Sequence, residues 1–221
     1  MAIIAVDGVL AIGKTTLVKE LARRPGYQAA LEPVTGASPL LAAYYRAPAT
    51  YACTFQLFVL MQRAAQHMQA QLDQSRVHLF DRSLLGDLTF ATLHIAEGNI
   101  SGAEAALYLD TFRRLTESLD PPDLIVWLDA PSEMVLERIH KRGREAERTV
   151  TLDYLEKARQ AHAHAFKDNV ARWNDKTVPV VKLLWSAFTS ADDVERILRS
   201  HGVAPTAPAH DTALPDPGGL Y

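Results

Sequence analysis

The sequence predicts an α/β fold, a parallel sheet of about five strands with helices on both faces. Three observations predict it. Apolar runs of strand length recur at residues 3–6, 77–80, 124–128 and 178–184. Longer stretches with helical spacing of apolar residues lie at 15–22, 51–72, 103–118, 132–141 and 152–173. The first run also passes through a glycine-bearing turn directly into a helical segment, as the strand–loop–helix units of parallel sheets do.

The elements follow in order. Ala2-Ile3-Ile4-Ala5-Val6 stops at Asp7 and Gly8, far short of a signal peptide's apolar core or of the roughly 20 residues a membrane helix needs, and reads as a buried strand. The 51–72 helix is apolar nearly all round, carrying Phe55, Leu57, Phe58, Leu60, Met61, Ala64, Ala65 and Met68, so it is expected to be buried. Gln56 and Arg63 on it fall close to one face and require partners or a ligand. Pro121-Pro122 blocks helix continuation ahead of the 124–128 strand, and Ser132 is placed to cap a helix beginning at Glu133. His162 and His164 read as solvated helix positions. From Gly202 onward, Pro205, Pro208, Pro215, Pro217 and a glycine pair predict a loose 202–221 tail behind a single 1–201 domain.

Composition excludes several classes. The 221 residues suffice for one well-filled core, and 48% apolar with 22% charged residues is ordinary for a globular protein. A net charge of −3 gives no basic surplus for a nucleic-acid polymer or an anionic membrane, so any phosphate chemistry rests on local cations. The single cysteine, Cys53, excludes an intrachain disulfide and fits a reducing compartment, with cytoplasm the default.

Gly8-Val9-Leu10-Ala11-Ile12-Gly13-Lys14-Thr15, followed by Thr16, fits the phosphate-binding pattern G-x-x-x-x-G-K-[ST] and lies between a strand and a helix. The glycines let the backbone curl so that its N–H groups and the helix N-terminus face polyphosphate oxygens. Lys14 supplies a point charge and the Thr15 hydroxyl a ligand for Mg2+. The bland reading, a mere glycine-rich turn, leaves Lys14-Thr15 unexplained. Two strand ends offer a second acid for the metal, Asp81 and Asp129. Asp129 follows the more apolar strand, whereas Asp81 precedes Arg82 and Ser83 and so brings a cation near transferring phosphate. Asp81 is favoured, with Asp129 a strand-end turn residue.

On the 132–141 helix, Arg138 and Arg142 are spaced to share a face, Gly143 ends the helix, and Arg144 follows on a turn. A solvated basic helix end welcomed by the macrodipole is one account. The sharper one is a mobile lid whose arginines neutralise charge on a transferring phosphoryl group.

With these residues in place the sequence resembles the deoxynucleoside kinase family. The likeness runs from the P-loop through Leu31-Glu32-Pro33-Val34, Phe55-Gln56 with Arg63, Asp81-Arg82-Ser83 and Arg138 to Glu147, ending on Leu152-Asp153-Tyr154-Leu155-Glu156-Lys157. It implies a P-loop kinase fold with an arginine-rich lid, ATP as phosphoryl donor and a homodimer. It implies Glu32 as general base for a 5′-hydroxyl, with Arg82 beside it, and Tyr45 and Glu147 on the sugar 3′-hydroxyl. Arg63 with Asp87 would read the base, as in relatives that use deoxycytidine or purine deoxynucleosides; an ion pair without a ligand is the structural alternative. Phe55 would form a pocket wall. Two departures stand out. Val9-Leu10-Ala11 replaces the Asn-Ile-Gly common in relatives, and the base-stacking aromatic position falls on Ala91, one residue beyond Phe90.

A nucleoside monophosphate kinase of the thymidylate type shares the P-loop, the Asp-Arg pair and the lid, and Glu32 argues against it, since an ionised phosphate acceptor gains nothing from a base. A non-catalytic nucleotide-binding protein needs neither that base nor the lid arginines.

Overall fold

The computed structural model describes residues 2–32, 38–185 and 190–205. Its strands are β1 (Ile3–Asp7), β2 (Tyr27–Ala30), β3 (Val77–Asp81), β4 (Leu124–Asp129), β5 (Val170–Trp173) and β6 (Lys176–Leu184). Its α-helices are α1 (Lys14–Leu21), α2 (Pro39–Arg46), α3 (Pro48–Leu72), α4 (Leu84–Ala96), α5 (Gly102–Glu117), α6 (Ser132–Arg142), α7 (Leu152–Ala165) and α8 (Ala191–Ser200).

The three most apolar runs become the sheet centre, because strands covered by helices on both faces must be hydrophobic on both faces. Every residue of β1, β3 and β4 is buried. The order is β2-β3-β1-β4-β6-β5, parallel throughout except for the β5–β6 hairpin. Ile4 pairs with Leu79 on one side and Leu124 on the other. Alternation then divides the core: Ile4 and Val6 of β1 pack with residues of α1, α6 and α8, while Ile3 and Ala5 pack with residues of α3, α4 and α5. A smaller cluster of Leu41, Tyr44, Cys53, Phe55 and Val59 joins α2 to the first turns of α3.

The sheet is thus parallel at its centre as predicted, with six strands rather than about five. The sixth comes from the end of the predicted 152–173 helix. That helix stops at Ala165, because Asp168 and Asn169 adopt left-handed backbone (φ 58° and 59°), which Asp and Asn tolerate best among residues with a side chain. Val170 to Trp173 then alternate exposed and buried as β5, and Asn174, again left-handed at φ 51°, turns the chain into β6.

Two smaller expectations also change. Pro131, not Ser132, occupies the N-cap of α6, and the Ser132 hydroxyl donates instead to Glu156 at 2.7 Å, tying α6 to α7. His162 is not solvated but fully buried, its Nδ1 donating to the Ala158 carbonyl at 2.7 Å between the rings of Phe90 and Phe166. Of the expected tail, residues 202–205 fold back: Val203 N–H donates to the Leu198 carbonyl at 3.1 Å, and Val203 and Ala204 pack on the core. The remainder, 206–221, lies outside the described residues, as do Pro33 and Val34.

Candidate active site

At the carboxyl ends of β1 and β3 the chain has built to either side of the sheet, which leaves a crevice there. A cavity of about 430 Å3 occupies it, lined at one end by Gly13 to Thr16, in the middle by Glu32, Tyr45, Asp81, Arg82 and Glu147, and at the other end by Phe55, Gln56, Val59 and Asp87. That volume suits a small organic ligand.

The P-loop follows β1. Gly8 and Gly13 take φ of 138° and 119°, and a Cβ on Gly8 would stand 2.5 Å from the Leu128 carbonyl oxygen, so only glycine fits there. Ala11, in place of the glycine common in relatives, accepts left-handed backbone at φ 55°, a strain of about 1–2 kcal/mol. Lys14 is buried and donates to the Val9 and Gly8 carbonyls at 2.9 and 3.3 Å. Burial, then the nearby Arg82 charge, lowers its pKa to about 8.

The Thr15 hydroxyl donates to Asp81 Oδ2, while Asp81 Oδ1 is buried with no hydrogen-bond partner. The rival acid, Asp129, is held by Arg159 at 2.7 and 3.2 Å and Lys182 at 2.8 Å, whose charges and hydrogen bonds lower its pKa against the opposing effect of burial. Both of its carboxylate oxygens are thus engaged by cations.

After Asp81 the backbone of Arg82 is forced to φ 83°. This corner is pinned from below by Asp7, which the sequence reading did not single out. Its carboxylate accepts from the Ser83 hydroxyl at 2.5 Å and from the Ser83 N–H at 3.2 Å, and burial raises its pKa. Ser83 in turn caps α4 by accepting from Gly86 N–H at 3.0 Å. The only earlier signal was an acid ending a buried strand. The pinned Arg82 guanidinium sits 4.5 Å over the Phe90 ring, with its Nε 4.0 Å from Glu32 Oε1.

Arg63 is fully buried behind the cavity wall. Its Nε donates to Asp87 at 2.6 Å, its Nη1 to the Asp81 and Arg82 carbonyls at 2.8 and 3.1 Å, and its Nη2 has no hydrogen-bond partner but lies 3.9 Å from Glu32. One guanidinium thus joins Asp87, the Asp81-Arg82 corner and Glu32. Desolvation raises the Asp87 pKa against the opposing Arg63 charge.

The lid arginines divide. Arg142 and Arg144 line the cavity and both donate to the buried Glu147 carboxylate, Arg142 Nε at 3.1 Å and Arg144 Nη1 at 3.4 Å. Arg138 does not line it; its guanidinium donates to the Ile12 carbonyl at 2.7 Å and the Trp185 carbonyl at 3.3 Å, behind the P-loop. The three do not converge. Val9 and Ile12 are buried, and Gly8, Val9 and Ile12 support the loop rather than line the cavity, whereas Leu10 and Ala11 line it. At the aromatic end Ala91 is core, and Phe90 faces the cavity. Tyr44, stacked on Phe55 at 4.6 Å and 7°, and Tyr154 also line the cavity; neither was singled out for a role, because nothing in helical spacing tells a cavity-facing tyrosine from a core one.

This arrangement has known counterparts. A solved deoxyadenosine kinase from M. mycoides with bound dATP superposes with a TM-score of 0.75 at 24% identity, over 91% of this chain and 100% of that one, which shows the shared P-loop kinase fold. A deoxyadenosine kinase of Dictyostelium discoideum is 29% identical over 89% of this chain and 78% of the relative. A deoxyadenosine/deoxycytidine kinase of Bacillus subtilis is 30% identical over 88% of both. The model of the family described as deoxynucleoside kinase matches residues 4–201, from within β1 to just past α8. A match that takes in both the phosphate end and the aromatic end of one cavity leaves a single conclusion: the chain belongs to the deoxynucleoside kinase family, phosphotransferases acting on deoxynucleosides.

Proposed function

We propose that this kinase moves the γ-phosphoryl group of ATP to the 5′-hydroxyl of a purine deoxynucleoside or deoxycytidine, in preference to thymidine, with Glu32 as general base. One observation carries the reading. The Glu32 carboxylate lies 3.9 Å from Arg63 and 4.0 Å from Arg82, on the wall of the same cavity as Lys14 and Thr15. A carboxylate so oriented accepts the proton of a neutral alcohol as its bond to phosphorus forms, a service an ionised phosphate acceptor does not need.

The P-loop residues 8–16 hold the donor phosphates, with Lys14 turning from its loop carbonyls to the polyphosphate and Arg138 acting through the loop backbone. Thr15 and Asp81 would hold Mg2+, since Asp81 Oδ1 is buried without a partner, and the ion would supply charge neutralisation at the donor phosphates. Arg142 and Arg144 act on the transferring group. Tyr45 and Glu147 take the 3′-hydroxyl. Asp87 and Gln56 meet the base edge, with Arg63 fixing Asp87 from behind and Phe55 and Phe90 as flanking rings. Asp87 as an acceptor favours bases with an exocyclic amino group, and the names of the Dictyostelium and Bacillus relatives support the same preference.

The enzyme in this reading is a cytoplasmic homodimer with residues 1–201 as its catalytic domain; no described helix is long and apolar enough to cross a membrane. The test is phosphorylation of the four natural deoxynucleosides and of thymidine monophosphate with ATP and Mg2+. Deoxyadenosine, deoxyguanosine or deoxycytidine should lead, and Glu32→Ala should lower kcat by about 10² to 10⁴ with little change in deoxynucleoside KM. Activity on the monophosphate alone would overturn the acceptor assignment, and normal turnover by the variant would remove Glu32 from the mechanism.

A further inference from the structure

Behind the aromatic wall runs a line of polar side chains that phosphoryl transfer has not yet used. Asn99, on the turn after α4, places its amide nitrogen 3.2 Å from His94 Nδ1 and 3.4 Å from Glu97 Oε2. His94 Nε2 stands 2.6 Å from the Tyr44 hydroxyl, and that hydroxyl stands 3.4 Å from the hydroxyl of Tyr154. His94 and Tyr44 are 2% and 4% exposed, so water does not compete for the bond between them.

The direction of each bond follows from chemistry. A carboxylate only accepts, so the Asn99 group facing Glu97 is its NH2, and the same NH2 donates to His94 Nδ1. A neutral imidazole that accepts at Nδ1 carries its proton on Nε2. His94 therefore donates to the Tyr44 oxygen, whose own hydrogen is left to donate to Tyr154. Stacking of Tyr44 on Phe55 fixes the ring that carries this step. Tyr154 accepts from behind and lines the cavity in front, so its hydrogen is free to donate there.

We propose that Asn99, His94 and Tyr44 form a one-way chain of hydrogen bonds that presents the Tyr154 hydroxyl as a donor to the deoxyribose of the bound nucleoside. The sugar is assigned because Tyr44, which meets the Tyr154 hydroxyl, packs its ring 5.0 Å from that of Tyr45, and Tyr45, Glu147 and Glu32, the residues placed at the two sugar hydroxyls, line the same cavity as Tyr154. The inference rests on the deoxynucleoside reading above. Tyr154 touches substrate; the other three are positioning residues.

The chain is tested by steady-state kinetics on the favoured deoxynucleoside, with melting temperature measured alongside. Tyr154→Phe and Tyr44→Phe, each removing one oxygen, should each raise the deoxynucleoside KM about tenfold, the worth of one well-placed hydrogen bond, with the KM for ATP unchanged. The double variant should be no worse than either single one, since both cut the same chain. His94→Gln, which can accept from Asn99 and donate to Tyr44, should keep near-normal KM, and His94→Leu should lose it. Wild-type KM in Tyr154→Phe, or multiplying effects in the double variant, would overturn the chain while leaving the kinase activity standing. Should His94→Leu fail to fold, the two tyrosine variants still decide. A wild-type enzyme inactive on every deoxynucleoside would instead overturn the reading on which the chain rests.

Discussion

Lys14 shows at the scale of one residue how burial sets chemistry. Its ammonium is desolvated and shares the cavity with Arg82, so its pKa falls to about 8 before any phosphate arrives. The charged form is the one that attracts a polyphosphate, and it is lost as pH rises through that value. The kcat/KM for ATP, which reports the free enzyme, should therefore decline above about pH 8. A profile flat to pH 10 would show that Lys14 keeps its proton. Other single residues show what spacing alone can carry. The Arg63–Asp87 pair was expected and stands at 2.6 Å, whereas the Asp7–Ser83 bond was not expected, because Asp7 ends β1 and Ser83 caps α4, far apart in the chain, and nothing local marks them.

Among the elements, α6 and the turn after it carry the arginines proposed to act on the transferring phosphoryl group. Gly143 ends α6 in left-handed backbone at φ 67°, which reverses the chain so that Arg142 and Arg144 reach one carboxylate, Glu147, on the short 3-10 turn Glu145–Glu147. A buried carboxylate with two guanidiniums holds both side chains at the cavity mouth. Arg142→Ala should lower kcat by at least about 10²-fold, because Arg144 keeps Glu147 paired but cannot stand in both places. A wild-type kcat in this variant would return the lid to a solvated helix end. Arg138, on the same helix, should act through its 2.7 Å bond to the Ile12 carbonyl instead. Sharing a helix face with Arg142 did not bring it into the cavity, since the face Arg138 presents abuts the P-loop.

For the whole molecule, the exposed apolar surface is concentrated on two helices. Tyr51, Phe58, Met61, Met68 and Leu72 of α3 and Leu107 and Leu109 of α5 are exposed, Met61 at 62% and Leu72 at 81%. The α3 residues recur at helical spacing along one stripe, and such a stripe on a single chain marks a protein–protein surface. We propose that it pairs two copies of this chain. Met61→Glu should shift the protein from dimer to monomer in sedimentation at micromolar concentration, and a wild-type monomer would overturn the pairing.

The sequence by itself determined the layers, the central parallel strands, the P-loop and the order of motifs, because each is a local pattern: an apolar run, a period, a spacing of glycine, lysine and threonine. Tertiary structure decided whatever depends on which surfaces meet. It turned the end of a predicted helix into β5, since two left-handed residues and a partner strand outweigh helical spacing. It buried His162, moved Arg138 behind the P-loop, and set Phe90 rather than Ala91 on the cavity wall. It joined Asn99, His94, Tyr44 and Tyr154 across three helices and a turn. Hydrogen bonds between distant segments form only after the sheet and its helices have packed, and no periodicity in the chain records them.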